Sequence, residues 1–451
     1  TFGSTGNDDI IDIQFDSNGD IIILGILRGS ANIGQCNTPN VANPVLIIAK
    51  LSTNYTCKWI STIDSITEKD SKGLSLDSND DIYLIISTAR GSNNGDSVTF
   101  NSNQNSLSFG INQNWDGVTI LSKLNQNGSW AWGSILNYEK FDFNHIAIDS
   151  SSNVWTSSYH DYQTHIRKHN SMTGNVISSN VFGTLKGVGV SPCNQCMIIN
   201  ALEIDSNDNV YAAGKYYSSG NFLINVNGTS QDIFYTVGWR PIILKMDSSV
   251  NVIDYMTPYG TSIGEIIDVE INQKDDIYIS GTFYADLSFE NTTFSTGGNL
   301  NGFITKINSN FSYEWARHIS SQGSVSPVNL NLDPSGNLYV SGNFNSCCSL
   351  NLDGFTLLPS GSNTVGLIAK YDSYGNIKWA ESFGSGGNDF AISSYFHNYS
   401  LFVIGKYDAN LFQLGGLASI STQGSYDIFI AKMSQDYDDD DIADVNDVDD
   451  D

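Results

Sequence analysis

The chain has 451 residues, 40% of them hydrophobic and 15% charged, with 41 glycines, 22 tyrosines and 22 phenylalanines. Its formal net charge of −27 repels nucleic acid and anionic lipid, which excludes both as partners and leaves cations, neutral glycans and proteins. No apolar run approaches the ~20 residues of a membrane-spanning helix, and no charged-then-apolar leader precedes Thr1, so the sequence predicts a mature, soluble, extracellular product without membrane insertion.

From residue 1 to about 433 the chain repeats itself, and a fixed period of this size decides the reading of every element. The first half of each unit is an alternating strand, a polar turn and a second strand that usually ends in Gly. It opens as Ile13-Gln-Phe-Asp-Ser-Asn-Gly-Asp-Ile-Ile-Ile-Leu-Gly25. Further copies begin near Leu74, Ile146, Leu202, Val269 and Leu330, and a worn one runs from Ile392 to Gly405. The turn opens at Asp16, Asp77, Asp149, Asp205, Asn272, Asp333 and, in the worn copy, Phe396, a spacing of about 63 residues. Asp or Asn at such a place bonds the backbone of its own turn, and Gly supplies positive φ, so these turns need no ligand.

The second half is an apolar strand ending in Lys, a turn, and a strand carrying Trp nine residues later: Lys50 to Trp59, Lys123 to Trp132, Lys306 to Trp315 and Lys370 to Trp379. Lys168, Lys245 and Lys432 mark the other copies. A Trp and a Lys at fixed places are read as sheet-to-sheet packing, with the Lys stem over apolar surface and its head in water, rather than as a binding stripe.

Each unit is thus four short antiparallel strands, and a sheet with two apolar faces needs a neighbour on each. The sequence therefore predicts an all-β fold over 1–433: a seven-bladed β-propeller of four-stranded antiparallel blades. The opening Thr1-Phe-Gly-Ser-Thr-Gly-Asn-Asp8 matches Ser382-Phe-Gly-Ser-Gly-Gly-Asn-Asp389, so Phe2 is expected to complete the last blade and close the ring. Over these residues the chain resembles the bacterial and archaeal β-propeller repeats called SBBP repeats. That resemblance implies a scaffold found in large secreted and surface proteins and implies no particular chemistry.

Six cysteines, Cys36, Cys57, Cys193, Cys196, Cys347 and Cys348, suit a disulfide-forming compartment, with Cys36 to Cys57 and a Cys193–Cys196 loop as the expected bridges. Six Asn-x-Ser/Thr sequons are permissive for glycans. His160, His165 and His169 crowd one unit, but on a strand they read as surface or turn residues and not as a shared metal site. The sequence holds no nucleophile elbow, zinc helix or phosphate loop.

Residues 434–451 form a separate acidic tail whose last sixteen positions hold ten aspartates and no base. Asp436, Asp438, Asp440, Asp444 and Asp447 recur at the spacing of the calcium-binding thrombospondin type 3 repeat, which the segment resembles, with Asp441 in place of its Gly. The resemblance implies calcium held by these five carboxylates, since hard cations take six to eight oxygens; a solvated linker is the plain alternative.

Two functions fit. One is a non-enzymatic extracellular module of a large cell-surface adhesin or appendage, contacting a surface glycan, a protein or other copies of itself. The other is a secreted hydrolase or lyase acting on polysaccharide from the same scaffold, which paired carboxylates or a Tyr/His pair would support.

Overall fold

A computed structural model describes residues 8–30, 32–33, 35–37, 44–64, 73–89, 97–110, 117–137, 142–183, 195–219, 222–233, 238–260, 263–361, 363–384, 387–408 and 426–434. Every regular element among them is a β-strand, and the fold is an all-β propeller. The backbone gathers into two compact units, one of Ile11–Val269 with Ala285–Ser295 and the other of Thr1–Ile10, Glu270–Tyr284 and Thr296–Asp451.

Among the described residues the expected strand pairs form. In the first unit Ile21–Leu27 pairs with Val45–Leu51, which pairs with Cys57–Asp64. Asp142–Ile148, Val154–His160, Gln163–His169 and Val176–Phe182 make a complete four-stranded sheet. In the second unit Val325–Leu332, Leu338–Asn345, Thr364–Tyr371 and Ile377–Phe383 make another. The central strands are buried along their whole length on both faces, as at Ile21–Leu27 and Val45–Leu51, because each face meets another sheet.

The expectation of seven blades of four strands is nevertheless overturned: the described strands form eight blades of three to six strands, besides a two-stranded hairpin. The difference comes from segments between the second and third strands of a repeat, which fold into ribbons of their own. Ser97–Asn101 and Ser106–Gly110 attach to Cys57–Asp64 of the preceding repeat, and Leu350–Leu352 with Phe355–Leu357 attaches to Tyr313–Ser321. Leu287–Phe289 and Thr292–Phe294 pair instead with Tyr259–Gly260 and make a separate three-stranded sheet. Such ribbons cover an outer strand's unpaired edge and bury apolar side chains of their own, Val98 and Phe100 in one, Leu350 and Leu352 in another.

The closure assigned to Phe2 lies outside the described residues. The first described ones do bond to the end of the second unit. The Asp8 amide donates to the Tyr426 carbonyl at 3.4 Å, and the Asp9 carboxylate meets the Lys406 ammonium at 3.0 Å.

The repeated turn residue acts as its sequence suggests. Asp77 Oδ1 accepts the amides of Asn79 and Asp81 at 2.9 and 3.1 Å, and Asp149, Asp205 and Asn272 repeat the pattern. Its second oxygen meets an aromatic of the following strand: Tyr83 donates to Asp77, Trp155 to Asp149, Tyr211 to Asp205 and Tyr339 to Asp333.

The repeated Lys corrects the reading that its head lies in water. Lys50 is 5% and Lys370 4% exposed. Lys50 and Lys168 pair with the turn carboxylates Asp16 and Asp149, and Lys123, Lys168, Lys245, Lys306 and Lys370 sit 4.9 to 6.0 Å over Tyr83, Trp155, Tyr211, Tyr278 and Tyr339. Where Asn272 opens the turn and carries no charge, Lys306 pairs with Asp276 at 2.9 Å. A buried ammonium requires such a partner, since neither charge tolerates isolation from water.

The Trp residues pack sheet on sheet, as expected. Trp59 Nε1 donates to the Gln126 carbonyl of the next repeat, Trp132 to Ser171 and Trp315 to Ser373. Each indole covers a turn glycine, Gly128, Gly174 or Gly375, where an added Cβ would fall 2.6 to 2.8 Å from the ring.

The Cys36–Cys57 bridge is present, with Cα atoms 5.6 Å apart. Cys193 lies outside the described residues.

Candidate functional site

Three places concentrate groups able to do chemistry. The first is a cavity of about 540 Å³ in the second unit, lined by Asn345, Ser346, Cys347, Asn363, Thr364 and Asn388. Asn345 ends the strand Leu338–Asn345, and Thr364 begins the strand Thr364–Tyr371. The Ser346 amide donates to the Asn363 carbonyl at 2.8 Å, and the Asp389 amide to the Thr364 carbonyl at 2.9 Å. The Asn388 amide is held by Asp408 Oδ1 at 2.7 Å. These backbone bonds fix the wall, which presents carboxamides, hydroxyls and a thiol and no formal charge. Such groups donate and accept in equal measure, which matches a hydroxyl-rich ligand better than an ion or an apolar cofactor.

The second place is on neighbouring strands of the first unit, where Glu203 on Gln195–Ile204 feels the charge of Asp268 on Gly264–Ile271. Burial raises the Glu203 carboxyl well above the usual carboxylate range, and Asp268 adds to the rise, against the Ile204 amide that donates to it at 3.2 Å. Asn200, which sits where the ladder slips between Ile199 and Ala201, donates to Glu265 at 3.0 Å and to the Ile266 carbonyl at 2.7 Å. Lys215 meets Glu265 at 2.8 Å and lies 5.4 Å over Trp239.

Several polar groups on these leading strands bind the next repeat's backbone. Asp12 accepts the Leu74 amide at 3.0 Å, and Asn329 and Asn331 accept the amides of Ser394 and Phe396. Burial pushes the Asp12 carboxyl up to about 6 despite the amides of Leu74 and Ile13. The Glu203–Asp268 pair stands apart as two carboxyls that raise one another's cost of ionisation.

The third place is the hairpin of Val154–His160 and Gln163–His169. His165 lies opposite Ser158, and Arg167 Nη1 donates to the Ser158 hydroxyl at 3.1 Å. Burial, then Arg167 and His160, push the His165 imidazole down to about 4, so it is neutral at physiological pH and a weak base. His169 corrects the surface reading of this cluster. It is fully buried, with its ring nitrogens 2.9 Å from Thr156 Oγ1 and 3.1 Å from the Gly174 carbonyl.

Asp436, Asp438, Asp440, Asp444 and Asp447 lie outside the described residues. Among the described residues no cluster of three or more His, Cys, Asp or Glu is arranged to hold a metal ion. Reading the sequence alone missed the Asn-lined cavity and the Glu203–Asp268 pair. The one available signal was acidic residues two or more positions ahead of the turn, at Glu203, Asp268 and Glu270; the cavity's lining is scattered over loops and leaves no motif.

No family model matches the sequence, and no curated protein matches it. Solved structures share the fold. A polysaccharide lyase of family PL25, an ulvan lyase, is 9% identical with a TM-score of 0.51 over 95% of this chain and 94% of its own. The same enzyme bound to -[GlcA(1-4)Rha3S]- gives 9% and 0.50 over the same shares, and the Dos1 propeller gives 10% and 0.44 over 89% and 91%. At these identities the chain is similar to them in fold alone.

Proposed function

We propose that the chain is a non-enzymatic extracellular module of a cell-surface adhesin or appendage and that it holds a neutral polysaccharide. The observation that carries this is the cavity of about 540 Å³ bounded by Asn345, Ser346, Asn363, Thr364 and Asn388, whose amides and hydroxyls pair with sugar hydroxyls. A net charge of −27 disfavours anionic glycans at ordinary ionic strength, which narrows the ligand to uncharged chains. Calcium bound by Asp436, Asp438, Asp440, Asp444 and Asp447 belongs to the same proposal as a stiffened joint beside the module.

Titration calorimetry against neutral, uronate-containing and sulfated oligosaccharides tests the reading. Saturable binding of a neutral one is expected, weakened roughly tenfold in Asn363→Ala and in Thr364→Ala, about the ~1.4 kcal/mol of one or two lost hydrogen bonds. Binding that survives both substitutions unchanged places the ligand elsewhere.

A second reading, a polysaccharide lyase, is favoured by one observation. His165 is an unprotonated imidazole beside Arg167, and a uronate carboxylate drawn to that guanidinium would offset the charge that depresses the imidazole and make it a stronger base next to the sugar. Ultraviolet absorbance of an unsaturated uronate, appearing with the protein and lost in His165→Ala, would replace the module by the enzyme.

A further inference from the structure

Cys347 in the wall of the cavity stands next to a second free thiol, Cys348. Cys347 is exposed and Cys348 half-buried, and their Sγ atoms stand 2.7 Å apart, closer than unbonded sulfurs rest against one another. The turn that holds them is pinned on both sides: the Asn345 amide donates to the Ser324 carbonyl and the Ser346 amide to the Asn363 carbonyl, while the Cys347 amide donates to Asn345 Oδ1 at 3.0 Å. Across from it lies Gly323, where a Cβ would come within 3.0 Å of Cys347 Sγ. Glycine there leaves the sulfur its room.

We propose that Cys347 and Cys348 are a reversible redox site that closes to a vicinal disulfide and thereby changes the wall of the cavity. The oxidant is a low-molecular-weight disulfide. Deprotonated Cys347 attacks one of its sulfurs, forming a mixed disulfide and expelling a thiolate that takes up a proton. Cys348 then gives up its proton and attacks the Cys347 sulfur, displacing the second small thiol. Two protein thiols and one small disulfide become one protein disulfide and two small thiols, with two electrons passed to the oxidant. The hydrogen bond that the Cys348 S–H donates to Cys347, then burial, raise the Cys348 thiol, which makes exposed Cys347 the first to react.

The bridge is a labile one for a covalent reason. Adjacent Cα atoms are about 3.8 Å apart, short of the roughly 4.4–6.8 Å that relaxed disulfides span, and strain makes such a bond easier to reduce. Cys36–Cys57, with Cα atoms 5.6 Å apart, has no such strain and serves as the internal reference. Closing the vicinal bridge removes the Cys347 S–H donor from the cavity and stiffens its rim. The inference rests on the thiol pair and holds whatever ligand the cavity takes.

The full chain, equilibrated in buffers of oxidised and reduced glutathione, alkylated and analysed by peptide mass, tests it. In oxidising buffer the peptide holding both cysteines is expected unalkylated and lighter by two hydrogens. It should open at least about tenfold below the reduced-glutathione concentration that opens Cys36–Cys57. Full alkylation of both cysteines in oxidising buffer overturns the proposal, as does a stable glutathione adduct on Cys347, a disulfide-linked dimer, or reduction no easier than that of Cys36–Cys57. Cys348→Ser, which should arrest at the glutathione adduct, confirms the order of attack; an unmodified Cys347 in that variant overturns it.

Discussion

Asp12 is a carboxyl whose environment favours its protonated form. Taken largely from water, it is pushed up to about 6 even though two backbone amides donate to it. An acid whose pKa is raised on folding binds its proton more tightly in the native state, so the stability it contributes is full below the unfolded value of about 4 and declines as pH rises toward 6. Asp12→Asn keeps an oxygen for the Leu74 amide and removes the titration. Urea denaturation across pH 4 to 7 should therefore show wild type losing stability relative to Asp12→Asn, with the curves parallel above about pH 7. A difference that stays constant through the window would mean that the carboxyl is solvated. The turn carboxylates behave oppositely. Burial opposes ionisation of Asp16, yet the Lys50 ammonium and the Asp20 and Asn18 amides outweigh it and hold the carboxyl below its ordinary range; its contribution is present at neutral pH and fails only in strong acid.

At the level of strands, the repeated Gly that ends the second strand shows how much the sequence revealed and where it was silent. Its recurrence marked the strand pair correctly, and alternation of apolar residues placed both strands. Positive φ, expected of the turn glycines, is found at Gly19 and Gly336; the strand-ending Gly214, Gly342 and Gly405 answer to a different need. These lie opposite a slip in the leading strand, between Ile199 and Ala201, Pro327 and Asn329, and Ala391 and Ser393. There the carbonyls of Ile198, Ser326 and Phe390 come so near that a Cβ would stand 2.0 to 2.6 Å away. A bulge is a contact between two strands, invisible in either one alone. The ribbons were legible in principle, since Ser97-Val-Thr-Phe-Asn101 alternates, but which outer strand each ribbon joins depends on the neighbouring sheet, and that choice changed the blade count. Gly342→Ala should lower stability by about 1–3 kcal/mol through overpacking, read as a lower urea midpoint with unchanged slope. A neutral result would show that the Ser326 carbonyl can swing aside.

For the whole molecule the question is where a cation can bind. Ten of the acidic residues lie in the last sixteen positions and leave −17 on the remainder, so the body too could attract calcium if its carboxylates were available. Those of the turns are not. Asp77 spends one oxygen on two amides and the other on Tyr83 and Lys123, and Asp149 likewise serves Ser151, Asn153, Trp155 and Lys168. A calcium ion entering such a turn would have to displace a buried ammonium and break the amide bonds that hold the turn. The mutual repulsion of the tail's aspartates falls when a divalent ion binds. Chelation should therefore speed proteolytic removal of residues 434–451 several-fold while moving the melting temperature of the body by less than about 2 °C, because binding stabilises only what binds. A fall of many degrees on chelation would place calcium among the blades and show that the lysine-paired carboxylates exchange partners. Unchanged proteolysis would leave the tail a solvated linker.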